Sequence, residues 1–217
     1  AAETSAANIR RVPFCVGGIL ADEMGMGKTV EMVSLLLTNR TCDKTAPDGS
    51  PVISTLIVCP LSLIAQWRDE IKQKTADSSL TVYVYHGLNR VRDPAYLSRY
   101  DVVLTTYSTL SAESQGLEED EDRKKRNFNV FSDYVTPKDG LLAVWWMRVV
   151  LDEAHTIKDR NTRVASIACK LRAERRWCVT GTPLQNRLDD LFSLFHFLRV
   201  TPYGEIDTWN NAIGRPI

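Results

Sequence analysis

The sequence lacks an excess of charge of either sign, since lysine and arginine number 27 together and so do aspartate and glutamate. Without a global positive field, any binding to nucleic acid must use a local basic face. No apolar run approaches the roughly 20 residues that a membrane-spanning helix needs, and no basic region followed by an apolar one starts the chain. We therefore expect neither a membrane-embedded nor a secreted protein.

Histidines and paired cysteines are also scarce. Among 217 residues there are three histidines and five cysteines, and no two cysteines form a Cys-x-x-Cys pair. This pattern argues against a disulfide framework and against a zinc site. We expect reduced thiols, as in an intracellular compartment.

What the chain does contain is a series of apolar, β-branched runs that alternate with segments of helical period. Its 44% hydrophobic and 25% charged residues are typical of a folded globular domain. The runs are mostly continuous, which indicates strands buried on both faces, and their alternation with helices predicts a three-layer α/β fold with a parallel sheet. The predicted strands are VGGIL (16–20), TLIVC (55–59), TVYVY (81–85), DVVLTT (101–106), MRVVL (147–151) and WCVT (177–180).

Predicted helices follow Lys28 and cover 63–71 and 188–198, and two segments interrupt the alternation. Residues 40–51 are rich in turn formers and indicate a surface loop. The segment 111–140 is longer than an ordinary connection within a compact domain, and this length is typical of an insertion. We predict one domain over 1–217 with an insertion loop at 111–140.

A phosphate-binding loop follows the first predicted strand. The stretch GGILADEMGMGKT (17–29) lies between that strand and a helix. Gly25 and Gly27 let backbone N–H groups turn toward an anion, and the helix adds the positive end of its dipole. Lys28 is placed to reach the β- and γ-phosphates of a nucleotide, and Thr29 to hold Mg²⁺.

An acidic pair follows a later apolar strand, in VVLDEAH (149–155). Asp152 is placed to hold Mg²⁺ through water, and Glu153 to orient or deprotonate an attacking water. Each motif alone has a structural alternative, a glycine-rich turn for the first and a helix N-cap for the second. Both together, each after a buried strand, favour a site that hydrolyses a nucleoside triphosphate.

Five ordered segments resemble motifs I, Ia, Ic, II and III of the SNF2 family, which are ATP-dependent double-stranded-DNA translocases of helicase superfamily 2. The segments are ILADEMGMGKT, LIVCPLSLIAQW, VVLTTYSTL, VVLDEAHTIKDRNT and CVTGTPLQNRLDDLFSLFHFL. The resemblance runs from Gly17 to Leu198. With GKTVEMVSLLL and the insertion before WWMRVVLDEAH, the chain is most similar to the branch of Rad5, Rad16 and SHPRH.

This resemblance implies a P-loop NTPase fold, the first RecA-like lobe of a helicase, with ATP and Mg²⁺ as cofactors. It implies that the whole protein is a DNA-dependent ATP hydrolase in chromatin remodelling or DNA repair. The implied partners are double-stranded DNA, including nucleosomal DNA, and a second RecA-like lobe of the same protein. The implied location is the nucleus.

The resemblance also implies roles for individual residues. The family's own form of the phosphate loop is DEMGMGKT, so Asp22 in place of the usual glycine matches the family pattern. Catalysis is implied for Lys28, Asp152 and Glu153. The residues implied to bind ATP or Mg²⁺ are Asp22, Glu23, Met24, Gly25, Met26, Gly27, Lys28, Thr29 and Asp152. No metal is implied apart from nucleotide-bound Mg²⁺, held by Thr29 and Asp152.

Other residues are implied to join the nucleotide site to DNA. The residues that couple ATP state to DNA contact are His155, Thr180, Gly181 and Thr182. Ser62 and Gln66 follow a strand and open a helix, where hydroxyl and amide groups can bind a DNA phosphate, whereas Trp67 beside them is more typical of core packing. A second group of candidates is Thr105, Thr106 and Tyr107. Their hydroxyls can contact phosphate or cap a helix.

Two parts of the family's active site are not found in the sequence. No glutamine precedes the loop within residues 1–16, where the family has one that recognises adenine, and no second lobe with its arginines is present in the 217 residues. The resemblance therefore implies little hydrolysis by this chain alone.

Two alternative functions are a superfamily 2 RNA helicase lobe and a non-catalytic nucleotide-binding scaffold. TGTPLQN in place of a SAT-type motif III disfavours the first. The presence of Lys28, Asp152 and Glu153 together disfavours the second, because a decayed site is expected to lose at least one of them.

Overall fold

One six-stranded sheet organises the part of the chain that the computed structural model describes, which is residues 16–40, 45, 49, 52–76, 79–113, 137–184 and 188–214. The strands are β1 (Gly17–Leu20), β2 (Thr55–Cys59), β3 (Val82–Val84), β4 (Val102–Thr106), β5 (Trp145–Asp152) and β6 (Arg172–Val179). Their order across the sheet is β1-β6-β5-β2-β4-β3. All neighbouring strands pair in parallel, which confirms the predicted α/β class.

Helices connect successive strands, and two more follow the last strand. They are α1 (Lys28–Thr38), α2 (Ile64–Lys74), α3 (Pro94–Leu97), α4 (Tyr107–Ala112), α5 (Arg163–Lys170), α6 (Asp189–Leu198) and α7 (Ile206–Trp209). A short 3₁₀ turn at Leu61–Leu63 precedes α2, and another at Ala154–Ile157 follows β5. A wide helical turn at Asn210–Gly214 follows α7. No helix in these described ranges combines the length and apolar character needed to cross a bilayer.

The core consists of two apolar layers, one on each face of the sheet. Successive strand residues point to opposite faces, so Leu56 of β2 packs with Phe197 of α6, while Ile57 packs in the other layer with Met32 of α1 and Trp67 of α2. Both β2 and β4 are buried along their whole length. This double burial explains why their sequences are continuous apolar runs rather than alternating ones.

Strand β6 is longer than the sequence predicted. Its first half carries charged residues, so it lacks the continuous apolar run by which the other strands were predicted. It begins at Arg172 rather than at 177. The Arg172 guanidinium lies over the Trp145 ring at 5.7 Å and donates to the Ala143 carbonyl, and Glu174 accepts a bond from the Trp145 indole. These aromatic contacts and hydrogen bonds accommodate the charged side chains within the strand. A prediction based on continuous apolar runs ends the strand at such residues.

Helix α4 overlaps the first two residues of the predicted insertion loop at 111–140, which stays a prediction. Ser111 and Ala112 belong to α4, whose N-cap is Thr106. The hydrogen-bonding side chain of Thr106 starts a helix immediately after β4, so the helical turn extends past the predicted boundary. Residues 114–136 of the predicted insertion lie outside the described residues.

The buried carboxylate of Glu113 joins described residues that lie on either side of 114–136 in the chain. It accepts hydrogen bonds from Tyr85 Oη at 2.9 Å, from Arg92 Nη1 at 2.9 Å and from the Leu141 N–H at 3.1 Å. Gly140, at a φ of 77°, lies so close that an added Cβ would be 1.9 Å from Glu113 Oε2. Residues on both sides of 114–136 in the chain therefore meet at one charged cluster.

The free thiols that the structure describes are those of Cys59, Cys169 and Cys178. Burial raises the pKa of Cys59 to about 12, with a further contribution from Asp152, and burial also raises the pKa of Cys169 to about 12. Both groups are therefore neutral, weakly nucleophilic thiols near neutral pH. The other two cysteines lie outside the described residues.

We predict that Glu113→Ala lowers the free energy of unfolding by about 3–5 kcal/mol, because it leaves the Arg92 guanidinium and buried donors without their acceptor. The matched control is Asp139→Ala, which removes the exposed partner of the same arginine, bound at 2.9 Å. That loss should be below about 1 kcal/mol. Urea denaturation measures both, and equal losses would contradict the assignment of Glu113 as the buried anchor.

Candidate active site

The carboxyl ends of five strands meet at one edge of the sheet. The pairing register aligns Leu20 of β1 with Val179 of β6, and Asp152 of β5 with the same Val179. It also aligns Cys59 of β2 with Thr106 of β4. Ligands of open parallel sheets bind outside this edge, so the segments that follow these strands form the candidate site.

The phosphate loop follows β1 and ends at the start of α1. Gly25 and Gly27 have φ angles of 85° and 91°, the left-handed region that favours glycine. The Lys28 ammonium reaches back over the loop and donates to the carbonyls of Asp22 at 2.7 Å and Glu23 at 2.9 Å. Together with the N–H groups of the first turn of α1, it gives this end of the sheet a positive electrostatic character suited to phosphate.

The segment after β6 lies directly against this loop. The Thr180 N–H donates to the Leu20 carbonyl at 3.1 Å, and the Thr180 hydroxyl accepts from the Thr182 N–H at 3.2 Å. A Cβ added to Gly181 would be 3.2 Å from Met24 Cγ, so a side chain here would press on the loop. The predicted coupling residues Thr180, Gly181 and Thr182 are thus brought beside the phosphate loop.

Asp152 ends β5 and is held at three oxygen atoms. Its Oδ2 accepts from Trp67 Nε1 at 2.7 Å, its Oδ1 accepts from the Glu153 N–H at 3.0 Å, and its backbone carbonyl accepts from Tyr107 Oη at 2.7 Å. Burial raises the pKa of Asp152, and the two bonds to the carboxylate and the charge of Lys28 act in the opposite direction. Its carboxylate is therefore fixed in place at the edge of the site.

Glu153 adopts an unusual backbone conformation, with φ at 50° and ψ at 51°. A left-handed conformation is uncommon for a residue with a Cβ and is found most often at functional sites. The Glu153 carboxylate lies 3.2 Å from His155 Nδ1, and both side chains are partly exposed. Glu153 is thus accessible to water, and the predicted coupling residue His155 is its direct neighbour.

The donor set fits a magnesium nucleotide. Mg²⁺ prefers oxygen ligands and is commonly bound by one or two carboxylates together with substrate phosphates. Asp152 supplies the carboxylate, Thr29 in the first turn of α1 supplies a hydroxyl, and Lys28 with the loop supplies phosphate contacts. Across the part of the chain that the structure describes, no cluster of three or more His, Cys, Asp or Glu side chains offers a site for a tightly held metal.

The structure separates the predicted DNA contacts into two groups. Ser62 and Gln66 are exposed near the start of α2, and Gln66 Nε2 donates to Glu70 Oε1 at 3.1 Å. Both side chains are accessible to a ligand.

The second group of predicted contacts, at the end of β4 and the start of α4, has buried side chains, and contact of these residues with DNA stays a prediction. Thr105 is fully buried and its hydroxyl donates to the Tyr85 carbonyl at 2.9 Å, while the Tyr107 hydroxyl is bound to Asp152. Thr106 is buried too, and its hydroxyl accepts from the Thr109 N–H at 3.0 Å. The helix-capping alternative therefore holds for Thr106, because the strand ends inside the core rather than at the surface.

Trp67 is the site residue that the sequence reasoning missed. Core packing was expected for it and is confirmed, since the side chain is 1% exposed. Its indole N–H, however, also bonds to the Asp152 carboxylate. One feature of the sequence pointed to this role. Trp67 carries a polar N–H and lies in the first turn of α2, which follows the carboxyl end of β2 at the edge of the candidate site.

Comparison with known proteins identifies related sequences. The sequence profile of the SNF2-related domain matches residues 9–217. The DNA repair protein RAD5A of Arabidopsis thaliana is 39% identical over 244 residues, which cover 92% of this chain and 22% of that protein. The helicase-like transcription factor CHR28 of Arabidopsis thaliana is 34% identical over 296 residues, with 94% of this chain and 30% of that protein covered.

A solved structure shares the fold. The Sulfolobus solfataricus SWI2/SNF2 ATPase core in complex with dsDNA is similar with a TM-score of 0.59 and 27% sequence identity, over 88% of this chain and 33% of that chain. The chain therefore spans less than a third of the length of the two plant relatives and a third of the solved core.

We predict that Gly27→Ala weakens nucleotide binding about 5- to 30-fold, because a left-handed conformation costs a residue with a Cβ about 1–2 kcal/mol. No atom lies within 4 Å of the added Cβ, so the effect is conformational and not steric. The matched control is Gly87→Ala, with a φ of 82° and equally open surroundings, in the connection between β3 and α3. Titration with a fluorescent ATP analogue measures the affinities, and similar losses in both variants would contradict the prediction.

Proposed function

Because the chain belongs to the SNF2-related domain family, we propose that it is the ATP-binding lobe of a DNA-dependent ATPase that translocates on duplex DNA in chromatin remodelling or DNA repair. One observation carries the proposal. The phosphate loop with Lys28 and the fixed Asp152 with its neighbour Glu153 lie at the same edge of one parallel sheet. Positioning and charge neutralisation of this kind are what phosphoryl transfer to water requires.

Each residue of the site has a distinct part in the proposed reaction. Lys28 and the N–H groups of the loop bind the phosphates and neutralise their charge. Thr29 and Asp152 hold Mg²⁺, which when bound polarises the terminal phosphate. Glu153 orients the attacking water and accepts its proton, and His155 lies directly beside its carboxylate.

Duplex DNA is the proposed partner on this side of the sheet. Ser62 and Gln66 offer exposed polar groups near the start of α2, and the solved relative was determined with dsDNA. The names of the plant relatives, a DNA repair protein and a helicase-like transcription factor, support DNA in chromatin as the substrate and the nucleus as the location.

We further propose that a second RecA-like lobe of the same protein completes the active site. An arginine supplied from outside a phosphate site can raise turnover by roughly 10³ to 10⁵. We therefore expect residues 1–217 alone to bind ATP weakly and to hydrolyse it slowly with or without DNA. Turnover by this fragment that rises on addition of duplex DNA would argue against a completing lobe.

The full protein tests the proposed function directly. We expect steady-state ATP hydrolysis to rise with duplex DNA and not with RNA of the same length, and to be lost in Lys28→Ala, whose phosphate contact is gone. A stronger response to RNA would favour an RNA helicase. No turnover in the presence of either nucleic acid would favour a scaffold.

We predict that Glu153→Gln keeps ATP binding but slows DNA-stimulated hydrolysis by about 10²- to 10⁴-fold, because an amide cannot accept the proton of the attacking water. Glu205→Gln is the matched control, since Glu205 is exposed at the start of α7, outside the strand-end segments that form the site. Single-turnover hydrolysis and nucleotide titration separate the two effects. A Glu153→Gln variant that hydrolyses ATP at the rate of the control would contradict the assigned role.

A further inference from the structure

The indole of Trp67 touches the magnesium site although it faces no solvent. It is 1% exposed, and its Nε1 lies 2.7 Å from Asp152 Oδ2 in a buried hydrogen bond. An indole N–H can only donate, so this contact requires an acceptor oxygen on Asp152 and cannot reverse its direction. A charge-assisted bond of this length is among the stronger hydrogen bonds of a protein interior.

Trp67 itself has little freedom to move. Its ring is packed in the apolar layer that α1 and α2 form against the sheet, with Ile57 of β2 and Val150 of β5 in the same cluster. A bulky ring in a close-packed core holds one rotamer, so its N–H has a fixed direction. The donor is therefore positioned by the core and not by the ligand.

The bond leaves the carboxylate free to bind a metal. Each carboxylate oxygen has about two lone-pair sites, and Trp67 uses one on Oδ2 while the Glu153 N–H uses one on Oδ1. Counting only contacts with residues that the structure describes, one site on each oxygen remains for Mg²⁺ or its water. The two donors together fix the plane of the carboxylate, as donors around metal ligands commonly do.

We propose that Trp67 is a positioning residue for Mg²⁺: its indole N–H fixes the Asp152 carboxylate in the orientation that holds the ion against bound ATP. The inference rests on the proposed function. Loss of a hydrogen bond to a metal ligand commonly costs 10- to 100-fold in metal affinity, which sets the expected magnitude here.

Trp67→Phe in the full protein removes the N–H and keeps an aromatic ring. The chain offers a matched control in Trp146→Phe, because the Trp146 indole is also fully buried and donates to the Leu141 carbonyl at 3.0 Å, at the amino end of β5 and so opposite Asp152. Binding of a fluorescent ATP analogue is titrated with MgCl₂, which reads metal affinity without requiring hydrolysis. Urea denaturation of both variants records the loss of packing.

We expect Trp67→Phe to raise the half-saturating Mg²⁺ concentration by roughly 10- to 100-fold and to leave Mg²⁺-free nucleotide binding unchanged. Trp146→Phe should lower stability and leave the Mg²⁺ titration at the wild-type position. The proposal is overturned if the Trp67→Phe titration coincides with the wild-type one, or if both variants shift it equally.

If Trp67→Phe does not fold, 3-benzothienylalanine at position 67 replaces the N–H by sulfur in a ring of the same shape, and the same titration decides. Failure of the proposed function has a different signature. Wild-type protein would then show no Mg²⁺-dependent nucleotide binding at all, whereas failure of this inference alone leaves that binding intact in the wild type and unaltered in the variant.

Discussion

Parallel pairing of the strands is the constraint on which the rest of the structure depends. Because every strand runs in the same direction, the residues that end β1, β5 and β6 lie side by side, although β1 ends more than a hundred positions before the other two in the chain. The phosphate loop, the acidic pair and the Thr180 segment are each short and polar. They become one site only because main-chain hydrogen bonds set their strands in register.

Those parts of the fold and site that depend on local pattern could be predicted from the sequence. The five residues of β2 form a strand with the predicted bounds, and α1 begins at Lys28 directly after the glycines of the loop. Both follow from one-dimensional rules, a continuous apolar run for a doubly buried strand and a phosphate-loop Gly-Lys-Thr pattern that starts a helix. The family is confirmed by the match over residues 9–217.

What could not be predicted depends on partners distant in sequence. Arg172 extends β6 because its guanidinium makes a cation–π contact with the Trp145 ring. No pattern within the sequence of β6 reveals this contact. Thr105 is buried although its hydroxyl suggested a surface role, because the carbonyl that accepts its hydrogen bond belongs to Tyr85, directly after β3 and 20 positions away in the chain. The Trp67 bond joins residues 85 positions apart, and packing alone would have accounted for this tryptophan. Polar atoms in the core are therefore the hardest feature to assign from sequence.

The cluster around Glu113 has a consequence for how this fold can vary. Glu113 and Leu141 lie on opposite sides of residues 114–136 in the chain, and the Leu141 N–H is bonded to the Glu113 carboxylate, so these two positions are joined within the fold. The entropy of closing a flexible loop grows only logarithmically, by about 0.6 kcal/mol for each doubling of its length. A lobe built in this way can gain or lose sequence at this point over evolutionary time, while its nucleotide edge keeps the same geometry.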